Sequence, residues 1–162
     1  MIKIDEEQFK KVKAEAKIYY KSIGKVYCPY LQRQVSFNAK GFEHLLGKSW
    51  DNARSRVDQY ARLRLIPVAK EIIALSNTLQ EFEERAMYTR GKEKSGWVKL
   101  YKMNNYYVFM ALSKNKDARF KVVVKELEGG EAYFYSIYPS WKTIKTEKGF
   151  DKIFYSEDLE QC

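Results

Sequence analysis

The chain has 162 residues, 45% hydrophobic and 31% charged, a length suited to one globular unit that folds without a disulfide or structural metal. Thirty Lys and Arg against 21 Asp and Glu give a net charge of +9, which favours polyanionic partners, nucleic acid first. Two cysteines and one histidine fit neither a disulfide framework nor a usual transition-metal set, and no signal peptide or run of about 18 apolar residues is present, so a reducing cytoplasm without membrane contact is the default.

Asp5 to Ile23 places Phe9, Val12, Ala16 and Tyr19 or Tyr20 at three- and four-residue steps, which predicts an amphipathic helix stopped by Gly24. A short extended pair follows, Lys25 to Tyr30 and Gln34 to Phe37, with Pro29 making the first an edge or irregular strand. Asn38 is expected to cap a short helix ending at Gly47, and Asp51 to begin a longer one toward Ile66. Pro67 suits the first turn of another helix, whose period continues through VAKEIIALSNTLQEFEERA. The charged stretch Tyr88 to Gly96 reads as a surface loop.

From Gly96 the pattern changes to the β-branched and aromatic runs WVKLYKM, YYVFMALS, RFKVVVKEL and EAYFYSIY, separated at Asn104-Asn105, Asn115 to Asp117 and Gly129-Gly130. The expected fold is therefore α+β, with N-terminal helices packed on one face of a four-stranded antiparallel sheet. Residues 1–146 make one domain, with a helical half 1–90 and a sheet half 96–146. Residues 147–162, with two Lys against five acids, form an acidic tail or an end segment in which Phe150, Ile153 and Phe154 pack on the sheet.

His44 alone has an ordinary pKa near neutrality and is the first candidate for a general acid or base. On a helical wheel it points about 150° away from the mean direction of Phe42, Leu45 and Leu46, so it is either a plain solvent-exposed histidine or a functional one. Arg54, Asp58 and Arg62 fall at i, i+4 and i+8, a stripe in which one carboxylate holds two guanidiniums for phosphate, or merely an ion-paired helix surface. Arg64 points along the Ala53, Val57, Tyr60 and Ala61 face, as a rim residue or an interior ion-pair partner.

Strict alternation sets Arg119, Lys121 and Lys125 opposite Phe120, Val122 and Val124, and groups Phe134, Ser136 and Tyr138 opposite Tyr133, Tyr135 and Ile137. Ser136 either donates to a phosphate or fills a packing gap, and Tyr138, Trp141 and Lys142 add stacking and charge suited to single-stranded RNA. Nucleotide-binding loops, dinucleotide turns and hydrolase elbows are missing, Cys28 sits among aromatics as a buried structural thiol, and the expected strands are poor in carboxylates for two-metal chemistry.

Phe37, Gly41, His44-Leu45, Arg54, Arg62-Leu63 and Pro67, with the strand Phe134-Tyr135-Ser136-Ile137-Tyr138, resemble the barnase, EndoU, colicin and RelE-like (BECR) nuclease superfamily in its phage- and mobile-element-encoded forms. The likeness covers roughly residues 25 to 140; it departs in having a single His where a two-histidine acid/base pair would stand. It implies two helices on a four-strand antiparallel sheet whose open face receives RNA. The resulting expectation is a toxin-like endoribonuclease needing no metal or other cofactor, in which a ribose 2′-OH attacks the adjacent phosphate.

In that reading His44 moves protons, Arg54 and Arg62 clamp phosphate, Lys121 stabilises charge and Ser136 donates a hydrogen bond. Arg119, Tyr138, Trp141 and Lys142 bind the strand, RNA is the partner, and a cognate immunity protein or antitoxin would restrain the enzyme. The alternatives are a noncatalytic nucleic-acid-binding module and a protein-interaction domain of a mobile element.

Overall fold

A computed structural model describes residues 3–49 and 51–154. Helix α1 (Glu6–Ile23) starts where the Asp5 carboxylate accepts from the Glu7 N–H at 3.4 Å, has Glu6 and Glu7 in its first turn, and ends at Gly24 with φ +64°. It buries Phe9 and Tyr20. Strands β1 (Lys25–Cys28) and β2 (Arg33–Ser36) form an antiparallel hairpin. Helix α2 (Ala39–Leu46) is capped by Asn38, whose side chain accepts from Gly41 N–H at 3.0 Å, and gives way at Gly47 to β3 (Gly47–Ser49) and β4 (Asn52–Ala53).

The helix expected from Asp51 begins later, as α3 (Arg56–Arg64). Asn52 and Ala53 pair back on β3, the Arg54 N–H donates to the Leu46 carbonyl, and Ser55 Oγ takes the capping bond from Asp58 N–H at 3.2 Å. Helix α4 (Ile66–Leu75), with Pro67 in its first turn, also stops short of the expected Ala86. Beyond it Glu81–Glu93 is a strand, β5, paired residue for residue with β6 (Gly96–Leu112), and Tyr88 to Gly96 belongs to this hairpin rather than to a loop. Strand pairing overrides the local helix-forming tendency of the Glu- and Arg-rich segment.

Strand β6 also runs straight through Asn104-Asn105, the expected turn. Both Asn residues have ladder partners on each side, and Asn105 Nδ2 donates to Glu126 at 2.9 Å. After β7 (Ala118–Leu127), β8 (Ala132–Thr146) and β9 (Gly149–Phe154) the main sheet has seven strands in the order β1-β2-β8-β7-β6-β5, with β9 also on β8. The β2–β8 contact is parallel and the others are antiparallel. The four-stranded antiparallel sheet is thus corrected to a mixed seven-stranded one, because a first hairpin, a strand inside the expected helix and a strand after residue 146 all join it. In β9 Phe150 is exposed; the side chains of Ile153 and Phe154 lie outside the described residues.

The four helices cover one face of the curled sheet, where Phe9, Leu45, Leu63, Ile66 and Ile73 pack with Val35, Phe109, Val122, Phe134 and Ile137. The other face is not the open surface expected for RNA. Tyr106, Val108, Val123, Tyr133, Tyr135 and Tyr138 fill it as a second buried layer. Among the described residues no helix is long and apolar enough to cross a membrane.

The parallel pairing of β2 with β8 is registered at Tyr133, and β9 joins β8 only from Trp141. Helix α2 packs on β8 beside this gap. The approach is close enough that a Cβ on Gly41 would lie 2.2 Å from the Phe134 carbonyl oxygen and 2.6 Å from Tyr20 Oη, which itself donates to the Asn38 carbonyl at 2.7 Å. Gly41→Ala is expected to lower unfolding free energy by about 3 kcal/mol in denaturant titration, since backbone rather than a flexible side chain must move.

Candidate active site

A bulge in β8 sets the geometry. Val124 is opposite Phe134 and Val123 opposite Ser136, so Tyr135 is the extra residue in the ladder. The expected alternation is therefore corrected. Phe134 and Ile137 enter the main core, whereas Tyr133, Tyr135 and Tyr138 share the second layer, with Ser136 on their side opposite Val123. Tyr135 and Ser136 become neighbours on one face beside the α2 contact.

Five groups singled out by the sequence converge here: His44, Arg54, Asp58, Arg62 and Ser136. Arg54, which lies before α3 rather than on it, donates from Nε to the His44 carbonyl at 3.0 Å and places Nη2 3.2 Å from His44 Nε2. Its Nη1 is 3.5 Å from Asp58 Oδ2, and Arg62 Nε donates to Asp58 Oδ1 at 2.8 Å. Arg62 Nη1 donates to Ser136 Oγ at 2.8 Å, with its guanidinium carbon 5.7 Å from the Tyr138 ring centroid. One carboxylate thus holds two guanidiniums, as the spacing suggests, although the helical stripe is incomplete.

Burial changes the meaning of this arrangement. The Arg54 and Arg62 side chains are 0% and 2% exposed, and Ser136 is 0% exposed. While α2 and α3 stay docked these groups position other side chains and do not meet a phosphate. His44 is corrected from outward-facing to buried. It avoids the main core, as its helical angle predicts, yet it stacks on Tyr135 with ring centroids 3.9 Å apart and planes 19° from parallel. A guanidinium has no acceptor, so the Arg54 contact makes His44 Nε2 the accepting nitrogen and leaves the ring proton on Nδ1.

His44 and Tyr135 open onto a pocket of about 530 Å³ flanked by Lys40, Glu43, Lys48 and Ser49. Beside Tyr135, Lys125 Nζ lies 4.8 Å from its ring centroid and 5.2 Å from that of Tyr106. Burial, reinforced by the charges of Lys40 and Arg85, pushes the Lys125 pKa down to about 8 from 10.5. The folded state therefore disfavours the charged amine. That penalty is full below pH 8 and is relieved as pH rises toward 10.5, where the unfolded chain holds the extra proton. Denaturant titrations are expected to show Lys125→Met gaining most over the parent near pH 7 and losing this advantage by pH 10.

The remaining expected site residues stand apart. Lys121 Nζ pairs with Glu81 at 2.9 Å, although its backbone is opposite Tyr138. Arg119 donates to Ser140 Oγ at 2.8 Å, opposite Trp141, and Lys142 is opposite Ala118, which places all three about 17 Å along the strands from Ser136. Arg64 is exposed over Tyr60, and Cys28 is buried with its thiol pKa raised by that burial. Sequence reasoning misses Lys40, Lys48 and Tyr135 as site residues; for Tyr135 the signal is the aromatic run of β8, legible only once the bulge is known.

Among the described residues no group of three or more His, Cys, Asp or Glu side chains is placed to hold a metal ion. Comparison with known proteins finds no match: no family model, no curated protein and no solved structure is similar to the chain.

Proposed function

We propose that the protein is a toxin-like endoribonuclease that cleaves RNA by attack of a ribose 2′-OH on the adjacent phosphate. The observation that carries this reading is His44 held by Arg54 at the edge of a pocket flanked by Lys40 and Lys48. The lysines attract phosphate and the substrate supplies its own nucleophile, so the protein has protons to move and charge to neutralise. The 2′-OH proton passes to His44 Nε2, displacing the hydrogen bond from Arg54. The proton then passes from His44 to the departing 5′-oxygen. The phosphorus–5′-oxygen bond breaks as the 2′-oxygen–phosphorus bond forms, giving a 2′,3′-cyclic phosphate and a 5′-hydroxyl.

Arg54, Asp58, Arg62 and Ser136 are positioning residues in this scheme, a change from the phosphate-clamp roles that their spacing suggests for Arg54 and Arg62. Their burial also favours a second reading, an RNA-binding module in which the network only docks α2 and α3.

Incubation of end-labelled RNA with the protein in excess chelator separates the two. Cleavage with cyclic-phosphate ends is expected, and a single 2′-deoxy substitution at the scissile position should abolish it while binding changes only a few-fold. RNA recovered intact supports the module. Cutting of DNA at a similar rate, or 5′-phosphate ends that vanish with chelator, sinks the proposed mechanism.

A further inference from the structure

Strand β6 pairs with β7 only from Asn104 to Leu112, whereas β5 and β6 stay paired to Glu93 and Gly96. Residues 86–103 therefore form a two-stranded ribbon that extends about 24 Å past the body of the sheet, at about 3.4 Å per residue. Its cross-strand pairs include Tyr88 with Tyr101, Arg90 with Lys99, and Lys92 with Trp97. Alternation places all six on one face, and all six are exposed, with Tyr88 at 70%, Trp97 at 71% and Tyr101 at 60%.

The opposite side is occupied by the ribbon's own packing. Leu100 lies across Gly91, where a Cβ would come within 2.2 Å of Leu100 Cδ1, and Val98 is half-buried. Residues 86–103 hold five Lys or Arg and one Glu, a net of +4. Single exposed aromatics need no explanation, but three on one face interleaved with three cations do.

We propose that this face is a platform for single-stranded nucleic acid, with unpaired bases stacked on Tyr88, Trp97 and Tyr101 and phosphates on Arg90, Lys92 and Lys99. A duplex hides its base faces, and the deep, narrow major groove of A-form RNA does not admit side chains. A lipid surface would call for an apolar face set apart from the cations; here Arg90, Lys92 and Lys99 are interleaved with the aromatics on the exposed face, while Val98 and Leu100 are on the other.

The platform is separate from the His44 pocket. Lys99 and Tyr101 continue the parity of Tyr107 and Phe109, on the helix-bearing side, while Tyr135 belongs to the opposite layer. The proposal therefore stands whether or not the protein cleaves RNA.

The test is fluorescence anisotropy of the full chain with a labelled oligothymidylate, which lacks a 2′-OH and so reports binding apart from 2′-OH cleavage. Stacking is of order tenfold or more per base, so Tyr88→Ala/Trp97→Ala/Tyr101→Ala is expected to weaken binding by about 100-fold or more, with circular dichroism unchanged. If that variant does not fold, Arg90→Gln/Lys92→Gln/Lys99→Gln gives an independent reading, reducing the slope of log affinity against log salt by about 2.

Trp97 fluorescence should be quenched by the oligonucleotide, and the quench should be missing in Trp97→Phe. A loss under tenfold in the aromatic variant, or an unchanged salt slope in the charge variant, overturns the proposal. So does an equal loss on blunt duplex, or binding to phosphatidylserine vesicles with the oligonucleotide ignored.

Discussion

His44→Ala is expected to lower the single-turnover rate of RNA cleavage by about 10²- to 10⁴-fold, the usual worth of a placed proton-transfer group. The alanine variant also removes the Tyr135 stack and leaves Arg54 Nη2 without the imidazole, so part of its effect is structural. His44→Gln distinguishes the two contributions. Its side-chain oxygen gives Arg54 an acceptor in the same region but cannot shuttle a proton at neutral pH. Both variants should be similarly slow, with RNA affinity nearly unchanged because binding rests on phosphate contacts. If His44→Gln retains most of the rate, His44 serves only to hold Arg54 and the proposed chemistry fails.

The second large effect is on stability. Arg62→Ala is expected to lower unfolding free energy by about 2–4 kcal/mol, from the cavity left by a large buried side chain and the loss of its hydrogen bond to buried Ser136. It removes the Arg62 donor to Ser136 Oγ, which is fully buried, and one of the two guanidiniums that Asp58 holds. Replacing both members of the buried contact, Arg62→Met with Ser136→Ala, should recover much of the loss because no buried polar atom of the pair is then orphaned. Denaturant midpoints of the single and double variants measure this directly. A phosphate clamp would behave differently, leaving stability within about 1 kcal/mol and weakening RNA binding instead.

The local signals in the sequence are legible where their physics is local. Asp5 and Gly24 bound α1, and Asn38 starts α2, because a side-chain acceptor and, at Gly24, a left-handed glycine act within a few residues. His44, Arg54, Asp58, Arg62 and Ser136 are likewise recognisable as chemistry-bearing groups, and the fold gathers them into one network. What sequence does not reveal is decided by distant partners. Glu81–Glu93 has helix-forming composition and becomes a strand only because β6 is beside it; the β8 bulge is visible only from β7. The burial of Arg54 and Arg62, which turns expected ligands into positioning residues, also depends on α2 and α3 meeting β8.

The helix-to-β8 contacts also carry a timetable. Arg62 and Ser136 are 74 residues apart, so at about 5–20 residues per second the ribosome makes the second roughly 4–15 s after the first. Through that interval α2 has no β8 to pack against, and contacts so remote in sequence form slowly once available. A nascent chain shorter than β8 holds His44 and Arg54 but not Tyr135 or Ser136. The pocket beside His44, whose wall includes Tyr135, is therefore completed only after β8 has been made.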